Sequence, residues 1–422
     1  MNGKANKILM RFLASVVTIC LIVGCNSANS TGVSDCSTNE ALAVIKSDGN
    51  VYLYDLCEAR LTQLTFDGQT DVNPENKRND NYYFFDSYEA WAPDGNMLLV
   101  GKGLTAYVLN LQNNTITPIG DRVISASWSP NGSRAVLTQI PKQQPSLFSD
   151  PLDYNLISVI SIESFSEEVS FEGNAPAWIS ETNLVYFTVT EKQVGQYYLH
   201  EAINLSVEEN HRETLNPEVK TIMAPLRYTR LSADKQYAAV YSYEPRNLTL
   251  LSLNVSEIFT AQWYVKLGVF PTSYTSNAYR WAPIKSMLAV CTQQSGLESP
   301  PSDSAVFILA EFDEQQKVIG EQHCAGYLSS TNVGWNPSGD IAVFLNDNHH
   351  LGFVDVASGK LIEGFTQPDE FDIEGGPWWS SGGSLIGVIA NNGQICVASV
   401  DGISSSLEFT CLVEGSEMAW RP

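Results

Sequence analysis

Residues 91–100 read WAPDGNMLLV, and residues 128–137 read WSPNGSRAVL. Each stretch places a Trp, a Pro and a polar turn ending in Gly directly before an apolar run. This order is typical of a strand that ends, a tight turn and a second strand that begins. The two stretches therefore predict a β-hairpin that the chain uses more than once.

The same pattern recurs along the whole chain. Further copies begin at Trp178 (WISETNLVYF), Trp281 (WAPIKSMLAV), Trp335 (WNPSGDIAVF) and Trp379 (WSSGGSLIGV). A degenerate copy, LSADKQYAAV, begins at Leu231, and a truncated copy, WRP, begins at Trp420. The starts of successive copies are separated by 37, 50, 53, 50, 54, 44 and 41 residues. This period is the one expected of four-stranded propeller blades.

Three more strand-like segments follow each full copy, as at residues 340–345, 350–356 and 360–365 after Trp335. One such sheet cannot bury both of its faces alone, so neighbouring sheets are expected to pack around a common axis. Three segments at 41–65 lack a Trp strand before them, whereas the Trp420 copy has none after it. We therefore predict an all-β protein, a β-propeller of eight four-stranded blades whose first blade is completed by the C-terminal strand. Seven blades remain an alternative if the Leu231 copy is not an independent unit.

The repeated phrase, W-[SA]-P-[DN]-G before an apolar strand, resembles the propeller repeat of the TolB and dipeptidyl-peptidase-type families over about residues 41–422. The resemblance implies a propeller and is poor evidence of activity. The chain departs from the TolB pattern because only a short tether precedes the first strand. It departs from the peptidase pattern because it has no G-x-S-x-G nucleophile motif.

The first 24 residues have the pattern of an export signal, with three cations before the apolar run at 12–24. Residues 22–25, Ile-Val-Gly-Cys, resemble a bacterial lipobox, which implies lipidation of Cys25. We predict a signal peptide at 1–24, a lipidated tether at 25–40 and a propeller at 41–422. An ordinary signal peptide or an N-terminal membrane anchor is the alternative.

The chain is strongly acidic, with a formal net charge of −23. Without residues 1–24 it has 21 Lys and Arg against 47 Asp and Glu, a net charge of −26. This balance argues against nucleic acid and against electrostatic binding to anionic lipid. We expect contact with a membrane only through the lipid anchor.

Six Cys residues follow the lipobox, an even number that fits three disulfides in an exported protein. Cys396 and Cys411 lie symmetrically about a turn near residue 403, which predicts that they face each other on adjacent strands. Pairs Cys36–Cys57 and Cys291–Cys324 follow by elimination, although six Cys permit fifteen pairings.

Long insertions occur at 67–87, 140–153 and 294–303, and all three predict loops on one face of the propeller. This face, here called the connection face, carries the turns between second and third strands and the connections between blades. A fourth insertion, 206–219, is interpreted as a loop on the opposite face. Insertions on one side are how repeat proteins usually gain a binding surface. The candidate rim residues are Lys77, Arg78, Tyr82, Phe84, Asp150, Asp153 and Tyr154, joined near the channel mouth by Arg227, Tyr279, Arg280 and Glu374.

Evidence for catalysis is thin. The chain has only five His, the adjacent His349 and His350 would point to opposite sides of a strand, and no phosphate-binding loop occurs. We predict no metal and no cofactor. The favoured function is a non-catalytic lipoprotein scaffold of the cell envelope, facing the periplasm or the outer cell surface, that binds a protein, peptide or glycan. The alternative is an envelope hydrolase or lyase with acidic residues in the channel.

Overall fold

The structure is a computed structural model of the 422-residue chain. It describes residues 40–69, 83–85, 90–141, 155–194, 197–216, 226–242, 247–253, 263–264, 279–292, 305–311, 317–324, 333–346, 348–363, 367–368, 371–400 and 407–422. The regular elements of these residues are all β-strands. Among the residues that the structure describes, none forms a helix with the length and apolarity needed to cross a membrane.

Within the described ranges, thirty-one strands follow one another. The first fourteen are β1 Ala41–Ile45, β2 Val51–Asp55, β3 Arg60–Gln63, β4 Tyr83–Phe84, β5 Met97–Lys102, β6 Thr105–Asn110, β7 Thr115–Gly120, β8 Val123–Trp128, β9 Arg134–Gln139, β10 Asn155–Ser161, β11 Ser166–Trp178, β12 Asn183–Val194, β13 Tyr197–Ser206 and β14 His211–Asn216. The next eight are β15 Leu226–Leu231, β16 Tyr237–Ser242, β17 Asn247–Ser252, β18 Trp263–Tyr264, β19 Tyr279–Trp281, β20 Met287–Thr292, β21 Ala305–Glu311 and β22 Lys317–Cys324. The last nine are β23 Val333–Trp335, β24 Ile341–Leu345, β25 Leu351–Asp355, β26 Lys360–Leu361, β27 Ile373–Trp379, β28 Leu385–Ala390, β29 Gln394–Ser399, β30 Phe409–Glu414 and β31 Glu417–Trp420.

These strands form antiparallel sheets, which we label A to G in chain order. Sheet A contains β31, β1, β2 and β3; sheet B contains β4–β7; and sheet C is a seven-stranded sheet of β8–β14. Sheets D, E, F and G contain β15–β18, β19–β22, β23–β26 and β27–β30. Sheet C is long because β11 pairs with β10 up to Gly173 and with β12 from Asn174 onward. One continuous strand thus ends one four-stranded unit and begins the next. This all-β architecture of successive antiparallel sheets is that of a β-propeller.

The degenerate copy at Leu231 lies in β15 and begins a four-stranded sheet of its own, sheet D. The C-terminal strand pairs antiparallel with β1, with Leu42 opposite Trp420 and Ile45 opposite Glu417. Sheet A is therefore assembled from the two ends of the propeller sequence.

The repeated Trp residues join neighbouring sheets. In five copies the indole N–H donates a hydrogen bond to a backbone carbonyl of the preceding copy. That carbonyl belongs to the residue immediately before the Trp or Leu with which the preceding copy begins. These bonds run from Trp91 to Ala419 (3.0 Å), Trp128 to Ala90 (3.4 Å), Trp281 to Arg230 (2.8 Å), Trp335 to Arg280 (2.9 Å) and Trp420 to Trp378 (2.9 Å). In these five copies the Trp contributes a hydrogen-bond donor as well as its apolar ring.

The Pro and Gly of the phrase have a matching role at the turn. The turn Gly has positive φ, at +72° for Gly132, +68° for Gly339 and +76° for Gly383, where residues with a side chain are strained. A Cβ at these positions would lie 3.3, 3.5 and 3.1 Å from the Cδ of Pro93, Pro283 and Pro337, the Pro of the preceding copy. The turn of one sheet thus packs on the turn of the next.

The core lies between the sheets. Distinct apolar clusters fill the spaces between sheets A and B, B and C, C and D, E and F, and F and G, and another lies between the two halves of sheet C. The Phe307 and Phe344 rings, from sheets E and F, stack with centroids 4.5 Å apart. Burial on both faces explains why most second and third strands are continuous apolar runs.

Cys396 and Cys411 occupy directly paired positions on β29 and β30 and form a disulfide with an S–S distance of 2.02 Å. This is the pair that the spacing about the turn predicts. Cys291 is also disulfide-bonded. Its pairing with Cys324 remains a prediction, as does the pair Cys36–Cys57, since residue 36 lies outside the described residues.

The predicted insertion at 206–219 is wrong for its described part. Strand β13 ends at Ser206, a four-residue turn covers 207–210, and β14 runs from His211 to Asn216. The polar side chains of this stretch belong to a short turn and a fourth strand. Residues 211–214 of this strand are all exposed, so the stretch resembles a loop in sequence.

Candidate functional site

Described strands flank the two long loops that the sequence predicts to form a binding rim on the connection face. The first leaves sheet A after β3 and enters sheet B at β4, and the second joins β9 to β10 in sheet C. The structure describes the roots of these loops, residues 64–69 and 83–85 for the first and 140–141 for the second.

The root of the first loop is held by a buried Asn. The side-chain oxygen of Asn50 accepts hydrogen bonds from the Thr65 hydroxyl at 3.0 Å and the Gly68 N–H at 2.8 Å. The Thr65 hydroxyl in turn accepts from the Val51 N–H at 2.9 Å. A Cβ at Gly68 would lie 2.4 Å from the Gly49 carbonyl oxygen, so only glycine fits this close approach. The chain therefore leaves sheet A along a fixed path.

An ion pair then ties this root to sheet B. The Lys102 ammonium lies 2.5 Å from one carboxylate oxygen of Asp67, and the Tyr83 hydroxyl donates to the other at 2.9 Å. The ammonium also lies 5.0 Å from the centre of the Tyr83 ring, within cation–π range. Burial alone would raise the pKa of Asp67, but the hydrogen bonds from Lys102 and Tyr83 outweigh it and lower the pKa. Burial and the bond to Asp67 raise the pKa of Tyr83, which stays a neutral donor.

A second cation holds the root of the other loop. Arg122, between β7 and β8, donates from Nε to the Ile140 carbonyl at 3.0 Å and from Nη2 to the Pro141 carbonyl at 3.2 Å. The Ile140 N–H donates back to the Arg122 carbonyl at 2.8 Å. The Val123 N–H donates to the Leu104 carbonyl at 2.8 Å, which joins the Arg122 connection to the turn beside Lys102. Both loop roots thus attach to neighbouring turns at one edge of sheet B, and we call this arrangement the lip.

Most of the predicted rim side chains lie outside the described residues. These are Lys77, Arg78, Tyr82, Asp150, Asp153 and Tyr154. The backbone of Arg227 lies in β15, and its side chain is outside the described part. Glu374, in β27, is exposed.

Two predicted contact residues belong to the core. Phe84 is 5% exposed, and its ring occupies the space above Gly101, where an added Cβ would lie 2.3 Å from the ring. Tyr279 is 1% exposed in β19. Their assignment as exposed rim contacts is wrong, because both lie on strands whose alternate side chains face a neighbouring sheet.

The sequence reasoning missed two residues, the exposed Phe66 and the partly buried Arg230. Phe66, at the root of the first loop, is 80% exposed. The Arg230 guanidinium lies 5.8 Å from the centre of the Tyr279 ring on the next sheet. The sequence feature that could have identified Arg230 was its position. Like Arg280, it lies immediately before the start of a repeat copy.

Arg280 is partly exposed and lies between the buried Tyr279 and Trp281. Desolvation, with the neighbouring Arg230 cation, lowers the pKa of Arg280 to about 9. It therefore stays protonated at neutral pH. In the part of the chain that the structure describes, no group of three or more His, Cys, Asp or Glu has the arrangement of a metal site.

Comparison with known proteins identifies the fold alone. No protein-family model and no curated protein sequence matches the chain. Among solved structures, the dihydro-heme d1 dehydrogenase NirN in complex with DHE matches 90% of this chain and 75% of its own, at 12% identity and a TM-score of 0.58. The Kuenenia stuttgartiensis hydrazine synthase matches 75% of this chain and 96% of its own, at 12% identity and a TM-score of 0.47. The β-propeller domain of Myceliophteria thermophila Cps50 (Swd1) matches 85% and 93%, at 14% identity and a TM-score of 0.44.

Proposed function

We propose that this protein is a non-catalytic binding scaffold of the cell envelope, an eight-bladed propeller lipoprotein that captures a protein, peptide or glycan at the lip. The lip is the observation that carries the proposal. The roots of the two long loops are each fixed by a cation, Lys102 of β5 for the first loop and Arg122 of the β7–β8 connection for the second. Fixing loop roots lowers the entropy lost when loops bind a partner, which is how preorganised binding sites gain affinity.

The count of eight blades is supported by the division of sheet C. Splitting this sheet where β11 changes partners, between Gly173 and Asn174, yields two four-stranded units beside the six other sheets. Closure is supported by bonds on both sides of the C-terminal strand. The Trp420 indole reaches sheet G, and the Trp91 indole of sheet B reaches Ala419.

The envelope location is supported by the sequence. The basic start, the apolar run at 12–24 and the lipobox-like residues before Cys25 fit export followed by lipidation. The Cys396–Cys411 disulfide fits an oxidising compartment. The exposed Phe66 beside the lip adds an apolar contact to the charged and aromatic residues of the first loop.

The test is partner capture by a soluble form, residues 26–422, immobilised and exposed to envelope extract. The variant replaces Lys77, Arg78 and Tyr82 by Ser, Ser and Ala. We expect at least a tenfold loss of the captured partner, because cationic and aromatic side chains carry much of the energy of interfaces. The thermal midpoint should stay almost unchanged, as for exposed sites.

The matched control changes the opposite face. Residues 401–406 connect β29 to β30 there, and they are replaced by a Gly-Ser segment of equal length. Capture should survive this replacement. Capture that survives the triple change and is lost on changing 401–406 would place binding on the opposite face and overturn the proposal.

A further inference from the structure

The boundary between sheets C and D differs from the others. At five boundaries an indole N–H donates to a carbonyl of the preceding copy. Between sheets F and G, the turn Gly383 packs on Pro337 of the preceding copy. At the start of sheet D, Leu231 replaces the Trp and has no N–H to donate, and the turn has Lys235 where other copies have Gly. The preceding copy has Ser180 in place of the Pro. The boundary between sheets C and D therefore lacks both kinds of contact.

The apolar cluster at this boundary is also small. Within the described residues it has eight buried members, and half of them are Ala: Ala175, Ala177, Ala202 and Ala238. The other described clusters have ten to twelve buried members, and each contains a Trp that is buried or packed against it. Since the stabilisation from apolar contact follows the area removed from water, this boundary gains less from packing than those with the larger clusters.

Two backbone conformations beside the boundary are strained. Ala175 has a φ of +48° and is the one residue other than Gly that has positive φ inside a described strand. Lys235 has a φ of +60° at the turn. In both conformations a side chain is strained, whereas Gly would not be. Strained residues persist only where the surrounding contacts hold them, so an opening at this boundary relieves strain.

The contacts between two sheets set the energy needed to separate them, because each sheet keeps its own hydrogen bonds between strands. The boundary between sheets C and D has no indole bond and no Gly packed on Pro, and its apolar cluster is small. We therefore expect it to open at the lowest cost among the described boundaries. Low-stability regions of this kind are where native proteins open locally and where parts that respond to a ligand move.

We propose that this propeller opens locally between sheets C and D while the other boundaries stay closed. The opening separates β11 and β12 from β15 and β16, and it exposes apolar side chains such as Phe187 and Val240. It is a conformational device of the fold, a line along which two sheets separate and close again without unfolding. The inference goes beyond the proposed function, because it does not use the lip.

Three alanines allow a matched test. Ala238, Ala342 and Ala135 are each 0% exposed, and each is the seventh residue after the first residue of its copy. They belong to the clusters at the C–D, E–F and B–C boundaries. The three positions therefore differ in the boundary that they report and not in burial or residue type.

The experiment measures thiol labelling at these positions. Each alanine is changed singly to Cys in the soluble form, residues 26–422, and the folded protein is incubated with excess N-ethylmaleimide. Peptide mass spectrometry separates the new thiol from the native Cys residues. We expect labelling at position 238 to be roughly tenfold faster than at 342 or 135, because local opening exposes it without global unfolding.

A second pair of variants tests the cause of the opening. Leu231→Trp restores a donor opposite the Ala177 carbonyl, which is equivalent to the carbonyls that the other indoles reach. Leu231→Phe is the matched control, because it adds an aromatic ring without a donor. Together with Ala238→Cys, the Trp variant should be labelled about fivefold more slowly than the Phe variant, the effect of one hydrogen bond.

Equal labelling rates at the three alanine positions would overturn the proposal, and so would faster labelling at 342 or 135. This comparison keeps the native Leu231 and so does not depend on whether a Trp fits there. Equal rates for Leu231→Trp and Leu231→Phe would overturn the assignment of the opening to the missing donor. Replacing Lys77, Arg78 and Tyr82 should leave labelling at 238 unchanged, so this inference and the proposed function can fail separately.

Discussion

The indole bonds between sheets allow a sharp test with a matched pair of tryptophans. Trp335 and Trp178 are both 6% exposed and occupy the same position of the repeat. The Trp335 indole N–H donates to the Arg280 carbonyl at 2.9 Å. The Trp178 indole nitrogen is buried and has no hydrogen-bond partner among the described residues.

Replacing each Trp by Phe removes a similar area of apolar contact, so that loss cancels in the comparison. At 335 the change also breaks a hydrogen bond and leaves a carbonyl unpaired. A bond of this kind contributes about 1 kcal/mol, and an unpaired buried group costs about 1–3 kcal/mol. At 178 the change removes a donor that was already unpaired. We therefore expect Trp335→Phe to lower the free energy of unfolding by about 1–3 kcal/mol more than Trp178→Phe.

The assay is urea unfolding of both variants and the unmodified protein, followed by far-ultraviolet circular dichroism. The comparison uses the difference between the variants, because it does not depend on the absolute stability of a large protein. Equal losses, or a larger loss for Trp178→Phe, would refute the view that the indole donors contribute to holding the sheets together.

Deleting residues 416–422 should destabilise all sheets, because it exposes the edge of β1. Limited proteolysis and thermal melting measure the effect, and stability equal to that of the full chain would refute the proposed closure. Cys25→Ser should move the protein from the membrane fraction to the soluble fraction, and retention after normal signal cleavage would contradict lipidation. Replacing both Cys396 and Cys411 by Ala should lower the free energy of unfolding by about 3 kcal/mol, the value expected for a 15-residue loop, and an unchanged urea midpoint would contradict it. Because the pKa of Asp67 is lowered, its stabilising effect is complete above the ordinary carboxyl pKa and is lost as pH falls through the lowered value. Asp67→Asn should therefore lower the thermal midpoint slightly at pH 7, with a deficit that vanishes in acid; a deficit that does not change with pH would contradict this role.

Much of the fold could be predicted from the sequence, because each repeat encodes its own strands and turns. The alternation of side chains is a local property that the copies repeat, and the turn Gly has positive φ in four of them, at Gly95, Gly132, Gly339 and Gly383. The lip could be predicted from the sequence only in part. Its loops are recognisable by their length, whereas the residues that fix the loop roots have no distinctive sequence pattern. In the sequence, nothing distinguishes Lys102 from other lysines near turns. The structure shows that Asp67, 35 positions earlier, lies beside it.

The sequence by itself determined the all-β class, the repeat and its period, the pairing of the C-terminal strand with sheet A, and the Cys396–Cys411 pair. All of these depend on residues close in the chain or on counting the copies. Only the tertiary structure decided which carbonyl each indole meets, that Phe84 and Tyr279 are core, and that the Arg230 guanidinium lies over the Tyr279 ring of the next sheet. These facts concern which faces of separate sheets meet. Contacts between residues some 50 positions apart depend on how the sheets pack, and no local pattern of side chains records that packing.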